Sequence, residues 1–479
     1  MFYKKISTLI FLVALGSISI WGQALSLVPK ISSYGIDDTQ KIIVWNFKIS
    51  DSIKKAASSF TINFRDNYTY EINSDSLSHK KSYLNNKGYK LYITKIPLTK
   101  IITQNVIIDE PKKAATLTYY HFGKNVESAI GIELRGNTSL SFPKKSYDLD
   151  LWKDSTGKES AKIKLGKLRE DDDWILDGIY DEPLRLRSYF ASKLWQNIHK
   201  PHYINKEPKA QSCIDLQYSE LFLNNNYKGL YTLTEKVDRK LLRLKKHEGN
   251  TIHGTLFKAA SYDGGPAFQK APQARNIFPH WAGFEMKYPV IDYSYYWNDL
   301  QEFVSFIIES DRVSFANEIE KRFYINNAID YFLFINLIGA ADNMGKNYYI
   351  ARYDKNTPYF MVPWDLDGVL GTLIDGQEIA STTDVLSNGF FDRLISENPI
   401  NFNQRLVNRW QSLRKTTFSN DSLNLMIDKH YTKLKKQRIY EREFSIWQSQ
   451  KTKKEHLLYL KNWLKERLVF LDEFVGDLR

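Results

Sequence analysis

Residues Ala328 to Ala340 form a very apolar helical stretch, and a chain that carries one must build a core large enough to bury it. The sequence changes character straight after it, in Asp342-Asn343-Met344-Gly345-Lys346-Asn347-Tyr348-Tyr349. Further on, Pro363-Trp364-Asp365-Leu366-Asp367-Gly368 adds two more carboxylates. The end of a buried helix holds Asp342 at a fixed point rather than on a waving loop. Carboxylates and an amide gathered at the ends of buried elements suit hard, oxygen-ligated cations such as Mg²⁺, which in turn carry phosphates.

The rest of the chain can supply such a core. Its 479 residues allow two or three domains, and 43% hydrophobic with 14% aromatic content marks a folded protein. Cys213 is the single cysteine, so no intramolecular disulfide forms and stability rests on burial alone. Residues 1–24 read as a signal peptide: Lys4 and Lys5, an apolar run from Ile6 to Ile20, then Gly22-Gln23-Ala24. The expectation is an exported protein (periplasm, cell surface or medium) with no transmembrane span once the signal is cleaved. Loss of those two lysines takes the formal charge from +12 to +10, which favours anionic partners. The lysine clusters at 433–436 and 451–454 fall in helical segments and read as solvated faces, so no nucleic-acid partner is expected.

Residues 25–104 alternate apolar and polar in short runs (42–49, 60–64, 89–93) and predict a small all-β, immunoglobulin-like domain. A second domain, 105–479, opens with strands at 114–120, 130–134 and 145–151. The loop Arg135-Gly136-Asn137-Thr138-Ser139 lies between the last two, able to aim N–H groups and hydroxyls at phosphate. A helix over 184–198 and a hairpin around Asn224-Asn225-Asn226 follow. Residues 247–290, rich in Gly, Pro and His, read as an irregular insertion, and 297–340 as helical. Strands at 348–353 and 359–362 precede amphipathic helices at 400–414, 420–437 and 453–475.

In order, these parts are those of a protein-kinase-like phosphotransferase: a phosphate loop, a strand lysine, then Asp342 with Asn347 five residues on, and a later Asp365. Asp342 reaches the acceptor hydroxyl while Asn347, on the same short loop, faces the cation. The same residues resemble the CotH (spore-coat protein H) kinase family. Gly131 to Ser139 carry the likeness with Phe142-Pro143-Lys144-Lys145-Ser146-Tyr147, Gly229-Leu230-Tyr231, Asp342 to Tyr349 and Pro363 to Asp367. It spans roughly residues 105–475. The resemblance implies an α+β, atypical protein-kinase-like two-lobed domain with a helical C-terminal part, its N-lobe about 105–238 and its C-lobe about 239–479. It further implies a secreted kinase that uses ATP and Mg²⁺ (or Mn²⁺) on Ser/Thr of protein substrates, itself included.

Within that resemblance Asp342 corresponds to the catalytic aspartate and Asp365 to the metal-binding one. Asn347 is expected as second metal ligand, and Asp367 either joins it or caps a turn. Side-chain alternation lets only one of Lys144 and Lys145 face the cleft to neutralise phosphates; Lys145 is preferred. Arg135, Asn137, Ser139 and Arg187 are further candidates around the nucleotide. No glutamate lies within 184–198 to pair with the lysine, so Glu182 and Glu235 are the substitutes in view. Two other readings stand beside this one. A metal-dependent sugar-nucleotide transferase built on Asp365-Leu366-Asp367 leaves Asp342 and Asn347 unused. A non-catalytic surface binding or adhesion protein on a kinase-like fold suits the β-rich front and avoids the need for ATP outside the cytoplasm.

Overall fold

The computed structural model describes residues 15–21, 24–272, 278–291, 297–448 and 452–478. The architecture is α+β and falls into two compact units, each drawn from three stretches of chain. Unit 1 takes residues up to Tyr180, Leu216–Glu235 and Lys429–Thr452; unit 2 takes Asp181–Asp215, Lys236–Asp428 and Lys453–Arg479. No helix among the described residues is long and apolar enough to cross a membrane. Residues 1–14, 22 and 23 of the expected signal peptide lie outside the described residues. Leu15–Trp21 pairs as an outermost strand on Ala24–Pro29, so its removal leaves the other three strands of that sheet paired.

Unit 1 begins with two four-stranded sheets. One orders Leu15–Trp21, Ala24–Pro29, Ser59–Phe64 and Tyr68–Asn73; the other Tyr34–Asp37, Ile42–Asn46, Lys90–Thr94 and Ser82–Leu84. Phe60, Ile62 and Phe64 alternate inward with Ser59, Thr61 and Asn63, as a strand with one buried face requires. Ile42–Asn46 shows no alternation because both faces are covered. Ile43 and Trp45 enter the core shared by the two sheets, while Ile42 and Val44 pack with Leu98, Phe222 and Tyr227.

Those last three belong to a closed seven-stranded barrel. Its order is Lys113–His121, Lys124–Arg135, Ser146–Trp152, Asp173–Asp177, Asn226–Thr234, Leu216–Leu223 and Leu98–Ile102. Its interior holds Ile130, Ile132, Leu149, Leu151, Trp174 and Leu233. The short helix Ile439–Ile446, not anticipated from the sequence, lays two neighbouring charges into this unit. Arg442 makes a bidentate pair with Glu220 at 2.7 and 3.0 Å, and the Tyr227 hydroxyl donates to the same carboxylate at 2.7 Å.

Unit 2 is built on an antiparallel five-stranded sheet, ordered His280–Trp281, Phe284–Tyr288, Thr255–Ala259, Tyr348–Arg352 and Tyr359–Pro363. Three of these strands lie in the stretch read as an irregular insertion, which corrects that reading. Leu256, Phe257 and Ala259 are all buried, so the central strand lacks the period-two signal, and the Gly and Pro residues belong to the loops on either side. The helical region resolves into Asn298–Glu309, Arg312–Arg322 and Ile325–Ile338. Every residue from Asn327 to Ile338 is buried. Asn327 fastens this helix to the sheet, accepting from Met361 N–H at 2.7 Å and donating to the Met361 carbonyl at 3.0 Å.

Gly339 ends the helix in the left-handed region at φ 67°, with its N–H on the carbonyls of Ile335 and Asn336. A Cβ there would stand 2.8 Å from the Trp463 ring. Gly339→Ala is therefore expected to lose the roughly 1–2 kcal/mol that a left-handed non-glycine residue costs, with more added by the clash. Urea unfolding of the two proteins measures it, and equal midpoints would refute it.

Candidate functional site

Unit 1 carries the candidate lysines. Of the two adjacent lysines, Lys144 turns inward: its side chain is fully buried, and its ammonium donates to both Glu443 oxygens at 3.0 Å and to the Leu230 carbonyl at 2.6 Å. Glu443 Oε1 also accepts from Leu230 N–H at 2.5 Å. Lys145 points the other way and donates to the Leu140 carbonyl at 2.5 Å. Gly229 makes room for the pair. It sits at φ 88°, and a Cβ on it would lie 2.0 Å from Glu443 Oε1. The acid that answers the lysine is thus neither of those in view from the sequence. Glu235 is buried beside Arg169, accepting its backbone N–H at 2.9 Å. Glu182, in unit 2, accepts the N–H groups of Leu184, Leu186 and Arg187 at the start of the Arg187–Ile198 helix.

The loop after the strand Lys124–Arg135 closes as a single turn of 3-10 helix, Thr138–Ser141. Asn137 is exposed, the Ser139 hydroxyl donates back to the Arg135 carbonyl at 3.2 Å, and Arg135 is half-buried. Three carboxylates do converge on the barrel, those of Asp148, Asp150 and Asp173. Lys112 sits among them, 2.9 Å from Asp148 and 3.4 Å from Asp150, and offsets part of their charge.

Unit 2 carries the aspartates. The turn Ala341–Met344 begins two residues after Gly339 and presents Asp342 half-exposed. Its Oδ2 meets the Lys346 ammonium at 3.0 Å and the Asn347 amide at 3.4 Å. Its Oδ1 accepts the Tyr262 hydroxyl at 2.5 Å. Asn347 and Asp365 leave the two paired ends of the hairpin Tyr348–Arg352 and Tyr359–Pro363, just beyond the Tyr348–Pro363 pair. The Asn343 side chain clips those ends together, donating to the carbonyls of Asn347 at 2.5 Å and Trp364 at 2.9 Å. Asn347 and Asp365 both adopt left-handed backbone, φ 58° and 56°. Such strain in a non-glycine residue persists only where its surroundings over-determine it. Asp367 accepts from Gly368 N–H at 2.8 Å, a turn-capping bond.

Arg187 is buried, 2.7 Å from Glu182 through Nη1, while its Nε has no hydrogen-bond partner among the described residues. It lines a pocket of about 560 Å³ with Thr372, Glu378, Lys453, His456 and Tyr459. Burial lowers the His456 imidazole pKa below its ordinary value.

Two of these contacts escape sequence reasoning. Glu443 stands 299 positions from Lys144, and no local pattern links residues so far apart. Tyr262 lies in a Gly-rich loop with no periodicity, and only its chemistry, a phenol near a carboxylate, marks it.

The chain resembles proteins already described over much of this region. Over 252 residues it is 21% identical to the inner spore coat protein H of Bacillus subtilis (strain 168), a match covering 53% of this chain and 62% of that protein. The CotH kinase protein family model matches residues 132–471, from the barrel strand before the 3-10 turn to the last helix and including Lys144, Asp342, Asp365 and Glu443. With well over half of its length matched by that model, the chain belongs to the CotH kinase protein family.

Proposed function

We propose that the protein is an exported phosphotransferase that moves the γ-phosphate of ATP to Ser or Thr hydroxyls of protein substrates with the help of a divalent cation. In this reading residues 105–479 form an atypical kinase-like two-lobed domain, behind an immunoglobulin-like front domain with mixed sheets. The observation that carries it is the buried Lys144–Glu443 pair, a lysine just ahead of the strand Ser146–Trp152 held by a helix glutamate, comparable to the lysine–glutamate pair of kinases. A buried ion pair is usually no better for stability than apolar side chains of the same volume, so its use here points to a task for the ammonium.

The other residues fit the same task. Asp365 and Asn347 offer hard oxygen donors from a rigid hairpin end, the chemistry that Mg²⁺ and Mn²⁺ accept, and Asp367 adds a third. A divalent cation held by these residues would offset the charge of nucleotide phosphates. Asp342 orients the acceptor hydroxyl and takes its proton. Lys144 contributes its positive charge from beneath the surface, held by Glu443. The orphaned Nε of Arg187 supplies a buried donor suited to an anion. Arg135, Asn137, Ser139 and Lys145 flank the phosphate loop.

Thermal unfolding of the purified chain with ATP, with and without Mg²⁺ or Mn²⁺, tests the reading. ATP with metal at a hundred times its Kd is expected to stabilise by about 2.7 kcal/mol, and chelation should remove most of the shift. No stabilisation by any nucleotide–metal combination would leave the non-catalytic binding protein as the better reading.

A further inference from the structure

Tyr262 occupies the place that an acceptor hydroxyl would take. Its phenol donates to Asp342 Oδ1 at 2.5 Å, within the reach at which a general base removes a proton. Its ring lies against Gly345, where a Cβ would come within 2.6 Å of it, and the Lys346 ammonium stands 4.9 Å from the ring centre. The loop that carries it is anchored: Ser261 N–H bonds the Gly283 carbonyl at 3.3 Å and Tyr348 donates to the Pro266 carbonyl at 2.8 Å. Yet Tyr262 itself is 60% exposed. Burial of the hydroxyl, then its bond to Asp342, pushes the phenol pKa upward, so the group is an O–H donor at neutral pH.

We propose that Tyr262 is an acceptor built into the chain, phosphorylated in cis on Asp342; this rests on the phosphotransferase reading above. The phenolic oxygen attacks the γ-phosphorus of the nucleoside triphosphate, forming the Tyr262 O–P bond. The bond from that phosphorus to the β-γ bridging oxygen breaks, the nucleoside diphosphate leaves, and the phenolic proton passes to Asp342 and on to solvent. The product places about −1.5 to −2 charges beside the Asp342 carboxylate at pH 7. Repulsion then lifts the loop, and Oδ1 becomes available to a second acceptor.

Two experiments decide this. In nucleotide-free protein, tetranitromethane is expected to nitrate Tyr262 several-fold faster in Asp342→Ala than in the wild type, because the phenol loses its acceptor; equal rates would remove the contact on which the proposal stands. The wild-type chain is then incubated with ATP, Mg²⁺ and dephosphorylated casein, and phosphorylated peptides are mapped by mass spectrometry. Phosphate on Tyr262, with a first-order rate constant unchanged on dilution and no labelling of added Asp342→Asn protein, is the expected result. Labelled casein with unmodified Tyr262, or labelling of Tyr262 that slows on dilution, overturns the cis acceptor and leaves the kinase reading in place. No transfer to either overturns both.

Discussion

Glu443→Ala is expected to abolish phosphate transfer and to cost about 3–5 kcal/mol of stability, the usual penalty for stranding a buried charge. Lys144 would lose its carboxylate partner while its side chain stays fully buried, next to the Leu230 carbonyl and the Tyr231 ring. Because loss of folding alone would also abolish transfer, the informative companion is the double variant Lys144→Met with Glu443→Leu. Apolar side chains of similar volume in place of a buried pair are commonly neutral or stabilising by about 1–4 kcal/mol. That protein should unfold in urea at or above the wild-type midpoint and still transfer no phosphate. Recovery of transfer in the double variant would remove the pair from the chemistry. Gly229→Ala should reproduce the single variant, since its Cβ would land 2.0 Å from Glu443 Oε1.

Asp342→Ala is expected to lower kcat by roughly 10²–10⁴, the range for loss of a general base, while leaving the KM for ATP close to that of the wild type. The carboxylate is half-exposed and its partners Tyr262, Lys346 and Asn347 reach solvent, so the melting temperature should change little. Asp365→Ala should differ in kind: transfer falls and the metal-dependent thermal shift disappears with it. If Asp342→Ala turned over at the wild-type rate, the acceptor hydroxyl would have to be handled elsewhere. If Asp365→Ala kept its metal response, the cation would have to bind elsewhere.

What could be read from the sequence follows the range of the interactions involved. The path from the apolar helix to Asp342, Asn347 and Asp365 was legible because it is local: a buried helix, a short polar turn and a hairpin of ordinary length; that Gly339 ends the helix in the left-handed region was not. The strands with one covered face were legible for the same reason. Thr255–Ala259 was not, because a strand covered on both faces loses its alternation. The partner of Lys144 was beyond local reasoning, since Glu443 lies on an eight-residue helix that starts just after a left-handed Arg438. Which of Lys144 and Lys145 is buried likewise depends on Glu443, information held far along the chain.

That long connection has a consequence during synthesis. Lys144 leaves the ribosome 299 residues before Glu443, a delay of roughly 15–60 s at about 5–20 residues per second. Throughout that interval the lysine lacks Glu443, and the barrel lacks the helix Ile439–Ile446. A nascent chain in this state cannot form the Lys144–Glu443 pair. In the proposed phosphotransferase, the dependence on residues 439–446 would therefore delay phosphate transfer until that helix has been made.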